Sequence, residues 1–582
     1  MERFYLYMIL FICATPMFAQ LDSIQKLEEV LIIDSKLTDY SEGYKLTKLS
    51  DTIIKRNSTS LTDVLRLNST IYFKENGYGM VSSPSFRGTN AAQTAVIWNG
   101  ININSNLNGQ TDFNLISPNS FSDITIRSGG GSTQYGSGAV GGSIHLNNTI
   151  SFKKANTTNL KLGYGSFSTL EGNFKTIQSN KKGYFDLGVD FSSSENDYEY
   201  LDLDQKNENG EFNRFNVSVN TGIKLKQSTL TFNSNYFNSN RNFSGSITAP
   251  SDDNYKDVTT RNLLSWKTNK NKFTSTIKAA HLFERYRYYP NKENELYFEG
   301  KSNTYLGDYL LEYQLNPAIK ISSVLNYTYI NAEGSNIGNN DRNTLSAVLL
   351  FKHNVTEKLS YGINLRQEFL NNFENPFLFA FDAKYDVNYW YSVKLNASKN
   401  FRVPTFNDLF WDAGGNENLQ PETSYQGEIG NDFRWKNIQF TLNGFYISAT
   451  DLIKWQPSDS GLWMPVNISE SENYGVEFSS EYSKDIKEHQ LRVSINYAYT
   501  SAIDKEKDKQ LIYVPFHKVT GLFSYNYKRI SAYYQFLFNG EVFTTTDNIG
   551  ILDAYTISNI GLEYEINRQS FPIKIGIKIN NI

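Results

Sequence analysis

"LRVSINYAYT", residues 491–500, places Leu491, Val493, Ile495, Tyr497 and Tyr499 at every second position, with Arg492, Ser494, Asn496 and Thr500 between them. A period of two puts the apolar set on one face of a β-strand and the polar set on the other. The pattern recurs along the chain. Phe185, Leu187, Val189 and Phe191 form one such set; Ile530, Ala532, Tyr534, Phe536 and Phe538 form another. Ile560, Leu562, Tyr564 and Ile566 follow, then Ile573, Ile575, Ile577 and Ile579. From about residue 150 to the end, helical periodicity is nearly absent.

A sheet of that length must close, because an open one would leave hazardous edges. Strands of about 10 residues, apolar on one face and ending in Tyr or Phe, mark a transmembrane barrel, with apolar faces to lipid and polar faces to the lumen. The composition agrees: 39 Tyr and 39 Phe against only 13 Pro, with a mean hydropathy of −0.47, since half of each strand faces water. A propeller or solenoid would show a fixed repeat, and none is found. At roughly 20 residues per strand and connection, the region 151–582 holds about 20 strands. A lumen that wide is a hole unless filled. Residues 192–212 and 454–473 read as long polar loops of one face, and 178–184 as a short turn of the other.

The N-terminal part reads differently. "MERFYLYMILFICATPMFAQ" has an apolar run from Phe4 to Ala14 and Ala19 before Gln20, which predicts a signal peptide over 1–19. The one cysteine, Cys13, lies inside it, so the exported chain has neither thiol nor disulfide. Leu61, Val64 and Leu65 stand at helical spacing behind Ser58–Ser60 as caps. "TAVIWNGININS" reads strand, Asn99-Gly100 turn, strand. "DITIRSG" adds a strand, so a small α+β domain fits the lumen as its filling.

"SGGGSTQYGSGAVGGSIHL", Ser128–Leu146, holds seven glycines and satisfies G-x-G-x-x-G over Gly136–Gly141. A dinucleotide cradle needs a helix there and an acidic residue about 20 positions on. "SIHLNN" alternates like a strand instead, and "NLKLGYG" near position 161 has no carboxylate. The glycines therefore read as tight turns and close packing.

Three plug segments, "SLTDVLRLNSTIYFKENG", "PSFRGTNAAQTAVIWNGININ" and "ITIRSGGGSTQYGSGAVGGSIHL", stand in order with "NFRVPTFNDLF" (400–410), "GNENLQPETSYQGEIG" (415–430), "NYGVEF" (473–478) and "YVPFHKV" (513–519). Together they resemble the TonB-dependent outer-membrane receptors over nearly the whole mature chain. "TAVIWNGININSNLNGQTDFNLI", with no long N-terminal extension, is most similar to the cobalamin type of Bacteroidetes-like bacteria. The resemblance implies a membrane all-β fold: an antiparallel transmembrane barrel of about 22 strands in the complete protein, filled by a plug. The implied domains are 20–40 for the TonB box and periplasmic tether, 41–150 for the plug and 151–582 for the barrel. Family barrels generally end on an aromatic residue, whereas this chain stops at Ile582 after "KINNI". The expectation is that the last one or two strands are missing.

The resemblance also implies sites. Leu27, Glu28, Glu29, Val30, Leu31, Ile32 and Ile33 resemble the TonB box, a β-prone peptide able to add as a strand to the energy-coupling partner. Arg87 and Arg127 are the expected plug halves of a lock, and Glu428 and Glu477 its barrel halves. An inward carboxylate needs a partner, and a guanidinium satisfies it bidentately. Ligand contact is expected from Tyr78, Asn104, Asn106, Asn108 and Gln110, with Trp411, Trp455 and Trp463 from barrel loops. Asp202, Asp204, Glu208 and Glu211 only loosely resemble a Ca²⁺ loop.

The implied function is TonB-dependent active import, with a corrinoid such as cobalamin as leading ligand and a ferric siderophore as the alternative. The implied partners are the TonB–ExbB–ExbD energy-coupling complex, the lipid and lipopolysaccharide of the outer membrane, and the barrel-assembly machinery. A passive porin would need no plug. A barrel enzyme would need a catalytic constellation, and neither G-x-S-x-G nor H-E-x-x-H occurs. The five His are scattered, and the net charge of −4 argues against nucleic acid.

Overall fold

A computed structural model describes residues 34–57, 60–201, 203–371, 373–457, 462–567 and 571–582. The stretch expected to be a signal peptide, 1–19, and the whole segment expected to be the TonB box, 27–33, lie outside them. Among the described residues the large sheet is a closed barrel of 22 strands, one of them only the two-residue Lys509–Gln510. Neighbours pair antiparallel from Ala155–Gly165 round to Pro572–Ile579.

The alternation read from the sequence sets which face meets lipid. In Gly183–Ser194, Phe185 and Phe191 point outward while Asp186 and Asp190 are buried against the lumen contents. In Ile530–Asn539, Tyr534 is outward, and Tyr533 and Leu537 are buried inward. Tight turns at one end, such as 180–182 and 317–318, contrast with long connections at the other, such as 195–211 and 403–421. The segment 454–473 differs from its loop reading. Most of it extends the strands Ile438–Pro457 and Trp463–Ile486, paired as far as Pro457↔Trp463. Its polar side chains find partners on neighbouring segments: Asn467 donates to the carbonyls of Gln420 and Asp451, and Trp455 to Asp408.

The plug is built around β1 (Leu46–Lys48), β2 (Tyr72–Glu75), β3 (Ser82–Ser85), β4 (Thr94–Trp98), β5 (Ile101–Asn102), β6 (Asp123–Ser128) and β7 (Gly142–Asn147). Its main sheet runs in the order β1, β6, β7, β4, β5, with β4 and β7 parallel. The helix Leu61–Arg66 forms where expected, capped by the Ser60 side chain accepting from Asp63 N. It buries Leu61, Val64 and Leu65 with Phe73, Phe113, Ile124 and Ile144 in the plug core. Asn99 and Gly100 have φ of 49° and 86°, the left-handed pair that a two-residue hairpin turn requires.

The plug begins earlier than the tether boundary implied. Ser35–Asp39 is a short helix packed into it, with Lys36, Leu37 and Tyr40 buried. The glycine-rich stretch opens no dinucleotide cradle, since Gly142–Asn147 is a wholly buried strand. At Gly130, a Cβ would lie 1.7 Å from Gln426 Nε2 and 2.3 Å from Asn400 Nδ2, both on the barrel wall. Close plug-to-wall approach is the reason for glycine there.

Candidate functional site

Arg87 sits at φ +57°, followed by Gly88 at +76°, so the chain turns sharply and aims the guanidinium at the wall. Nη1 donates to Glu428 Oε2 at 2.8 Å, and Nη2 to Glu477 Oε2 at 3.0 Å. Nε donates to Glu477 Oε1 at 3.3 Å. All three side chains are buried. Burial opposes the charged guanidinium, and the two carboxylates overcome that penalty, raising its pKa above the ordinary value. Lys45 joins from β1's approach, Nζ to Glu477 Oε2 at 3.4 Å, and Asn443 donates to Glu428. Lys45 was not among the residues read from sequence.

Arg127 takes a different place from its expected one. Nη1 donates to the carbonyls of Gly129 and Gly130 and Nε to Ser41 Oγ, while the guanidinium stacks 3.7 Å over the Tyr44 ring. It folds the glycine stretch against the plug's first segment rather than bonding either glutamate. Carbonyl partners two and three residues on lie nearer than the wall, so it is consumed locally.

A second buried group lies at the plug's start. Tyr135 OH donates to Asp34 Oδ2 at 2.9 Å, and His145 Nδ1 lies 3.8 Å from the same oxygen. Lys36 Nζ donates to the carbonyls of Gly100 and Gln134. This short helix is thereby fixed to the floor of a cleft between plug and wall. The cleft contains about 1220 Å³ of space open to solvent and is lined by Lys36, Asn102, Asn106, Asp308, Asn326 and Arg366, among others.

Burial pushes His145 down to about 3, so it is neutral at physiological pH. The unfolded chain, with an ordinary His near 6.5, takes up a proton that the folded plug refuses. Stability present above pH 6.5 is therefore lost as pH falls toward about 3, at about 1.4 kcal/mol per unit. Burial opposes the Asp34 carboxylate, but the charges of Lys36 and Lys278 outweigh it and hold its pKa below the ordinary value, which adds a loss of the same sign at lower pH. Urea titrations of the plug between pH 7 and pH 5 are expected to show this slope, and H145Q to abolish it.

Comparison with known proteins bears directly on this arrangement. A family model described as "TonB dependent receptor-like, beta-barrel" matches residues 170–582, and one described as "TonB-dependent Receptor Plug Domain" matches 47–143. The chain belongs to the TonB-dependent receptor family. It is accordingly an outer-membrane protein of a Gram-negative bacterium, energised through TonB.

Among its relatives are vitamin B12 transporters named BtuB. The one from Photobacterium profundum is 24% identical over 529 residues, covering 87% of this chain and 83% of the relative. The one from Vibrio vulnificus is 23% identical over 559 residues, covering 90% and 85%. Solved structures of the same fold include the copper transporter OprC, with TM-score 0.76, 14% identity and 90% of each chain covered. The siderophore receptor PirA from Acinetobacter baumannii has TM-score 0.76 and 14% identity, covering 94% of this chain and 95% of its own.

In this receptor the expected ligand residues divide. Asn104 is committed to the plug, its side chain bonding Val96 N and the carbonyls of Thr94 and Gly109. Asn106 bridges to the wall, through Nδ2 to Thr304 and its backbone N–H to Glu284. Gln110 accepts from Ser83. Tyr78 packs edge-on to Phe212, and Asn108 is exposed. Trp411 packs beside Leu107 and Phe406, Trp455 donates to Asp408, and Trp463 is exposed.

Of the residues in the Ca²⁺ reading, Asp202 lies outside those described, and Glu211 accepts from Asn242. Among the described residues no three His, Cys, Asp or Glu side chains gather to hold a metal. Four of the five His, at 281, 353, 489 and 517, lie against tyrosine rings of the barrel.

Proposed function

We propose that this receptor imports cobalamin or a related corrinoid. The observation that carries the reading is similarity to vitamin B12 transporters along 87% and 90% of the chain, through plug and barrel alike. The plug geometry supports it as an energised gate. A lock of buried charges resists spontaneous opening, and the short helix Ser35–Asp39 is anchored beside a polar cleft between plug and wall. Pulling on the Leu27–Ile33 segment draws first on Asp34, bonded to Tyr135, and then on Lys36, which lines that cleft.

Cells carrying the receptor are expected to accumulate labelled cyanocobalamin, with accumulation abolished by a proton uncoupler. Purified protein is expected to bind cyanocobalamin with submicromolar Kd. Binding of a ferric siderophore without corrinoid binding would establish the alternative ligand. Accumulation indifferent to the uncoupler would exclude energised transport altogether.

A further inference from the structure

A band of aromatic side chains stands on the lumen face just beyond the plug's outer loops. Four neighbouring strands, Ser228–Ser246, Ala249–Lys270, Phe273–Tyr289 and Phe298–Asn316, first hold the plug with polar side chains. Arg241 bonds Asp112 of the plug at 2.6 Å and Asp257 at 2.9 Å. Glu284 accepts from Ser105 Oγ and Asn106 N. Two residues further along the same face, toward the long-loop end, the side chains become Phe243, Tyr255 and Tyr286, with Tyr288 and its cross-strand partner Phe298 one more step out.

These rings form one continuous surface. Tyr255 lies 4.7 Å from Phe243 and 4.9 Å from Tyr288, and Tyr288 lies 6.4 Å from Phe298. Gly300, directly across from Tyr286, has no Cβ; one placed there would lie 2.5 Å from the Tyr286 ring. The ring therefore lies flat on the wall. All five side chains are half-buried, Tyr286 partly against Leu107 and Ile330, so each keeps part of its surface uncovered.

The charges beside this surface are already matched. Arg241 is committed to two carboxylates, and Lys292 donates to Asn209 Oδ1. Asp253 accepts from Tyr288 OH, and Asp257 and Glu284 add negative charge. A polyanion brought here would meet these carboxylates, while the cations nearest the rings, Arg241 and Lys292, are already bonded. A broad ring system with little negative charge would instead gain stacking and apolar contact.

We propose that this aromatic wall is the barrel's half of the ligand-binding site, and that it takes the flat face of a macrocyclic ligand of little net negative charge, with Tyr78 and Asn108 of the plug opposite. The inference rests on the corrinoid reading above and adds where the ring docks and why a polyanionic ferric catecholate is disfavoured. Bound there, the ligand touches residues two positions from the Asp112–Arg241 and Glu284 contacts, so occupancy is felt where plug and wall meet.

The test titrates the purified full-length receptor with cyanocobalamin and, separately, with a ferric catecholate. Y255A and Y288A are expected to weaken cyanocobalamin binding about tenfold each and about a hundredfold together. Y255F is expected to bind as the wild type does, because the ring and not the hydroxyl makes the contact. Y289A, on the opposite face of the same strand, serves as control, and far-ultraviolet circular dichroism checks that each barrel is intact. Wild-type corrinoid binding with Y255A/Y288A inside twofold of it would overturn the wall and leave the corrinoid reading standing. A wild type that binds the ferric catecholate but no corrinoid, or neither, would overturn both.

Discussion

R87A is expected to lower the unfolding free energy of the plug by about 3–5 kcal/mol, the cost of breaking a buried ion pair by removing one partner. Glu428 and Glu477 would be left facing each other's charge in a site closed to water, with only Lys45, Thr70 and Asn443 as partners. R87K is expected to fall between, because an ammonium cannot span both carboxylates as the guanidinium fork does. A neutral replacement of all three groups, R87M with E428Q and E477Q, is expected to recover most of the loss. Urea titration of the plug measures each. If R87A unfolds at the wild-type urea concentration, the buried triad does not hold the plug.

Energised uptake is expected to fall to the uncoupled baseline in V30P, with ligand affinity within about twofold of wild type. Proline removes a backbone N–H and fixes φ, so the segment can no longer complete a ladder with the edge of the coupling partner. The ligand surface lies at the far end of the lumen and should not register the change. Uptake assays with and without an uncoupler, beside a binding titration, separate the two effects. V30P with normal uptake would show that residues 27–33 are not the pulled segment.

Several features were legible in the sequence because they are local. The period-two sets at 185–191, 491–499 and 530–538 dictate strands wherever they lie, and Asn99-Gly100 dictates its own turn. Segment 454–473 misled because polar composition marks exposure to water, which a strand projecting beyond the membrane also has. Arg127 misled because a charge next to a lock segment can be satisfied by nearby carbonyls as well as by a distant carboxylate. The aromatic wall carries a local signal as well: Tyr255, Tyr286 and Tyr288 share the face of Asp257 and Glu284, which alternation assigns to the lumen.

The sequence by itself determined a closed β-barrel with an α+β filling, since alternation, turn chemistry and chain length need no tertiary partner to be read. Its resemblance to a known family also singled out Arg87, Glu428 and Glu477, as the matching halves of a plug-to-wall lock. Only the tertiary structure decided which charges meet. Arg87 and Glu477 are 390 residues apart, and their pairing depends on where the plug rests in the lumen. The same holds for Asp34 with Tyr135 and His145, and for the aromatic rings of four strands meeting above the plug. Contacts of that kind are set by register and by the docking of one domain inside another, and no local pattern encodes either.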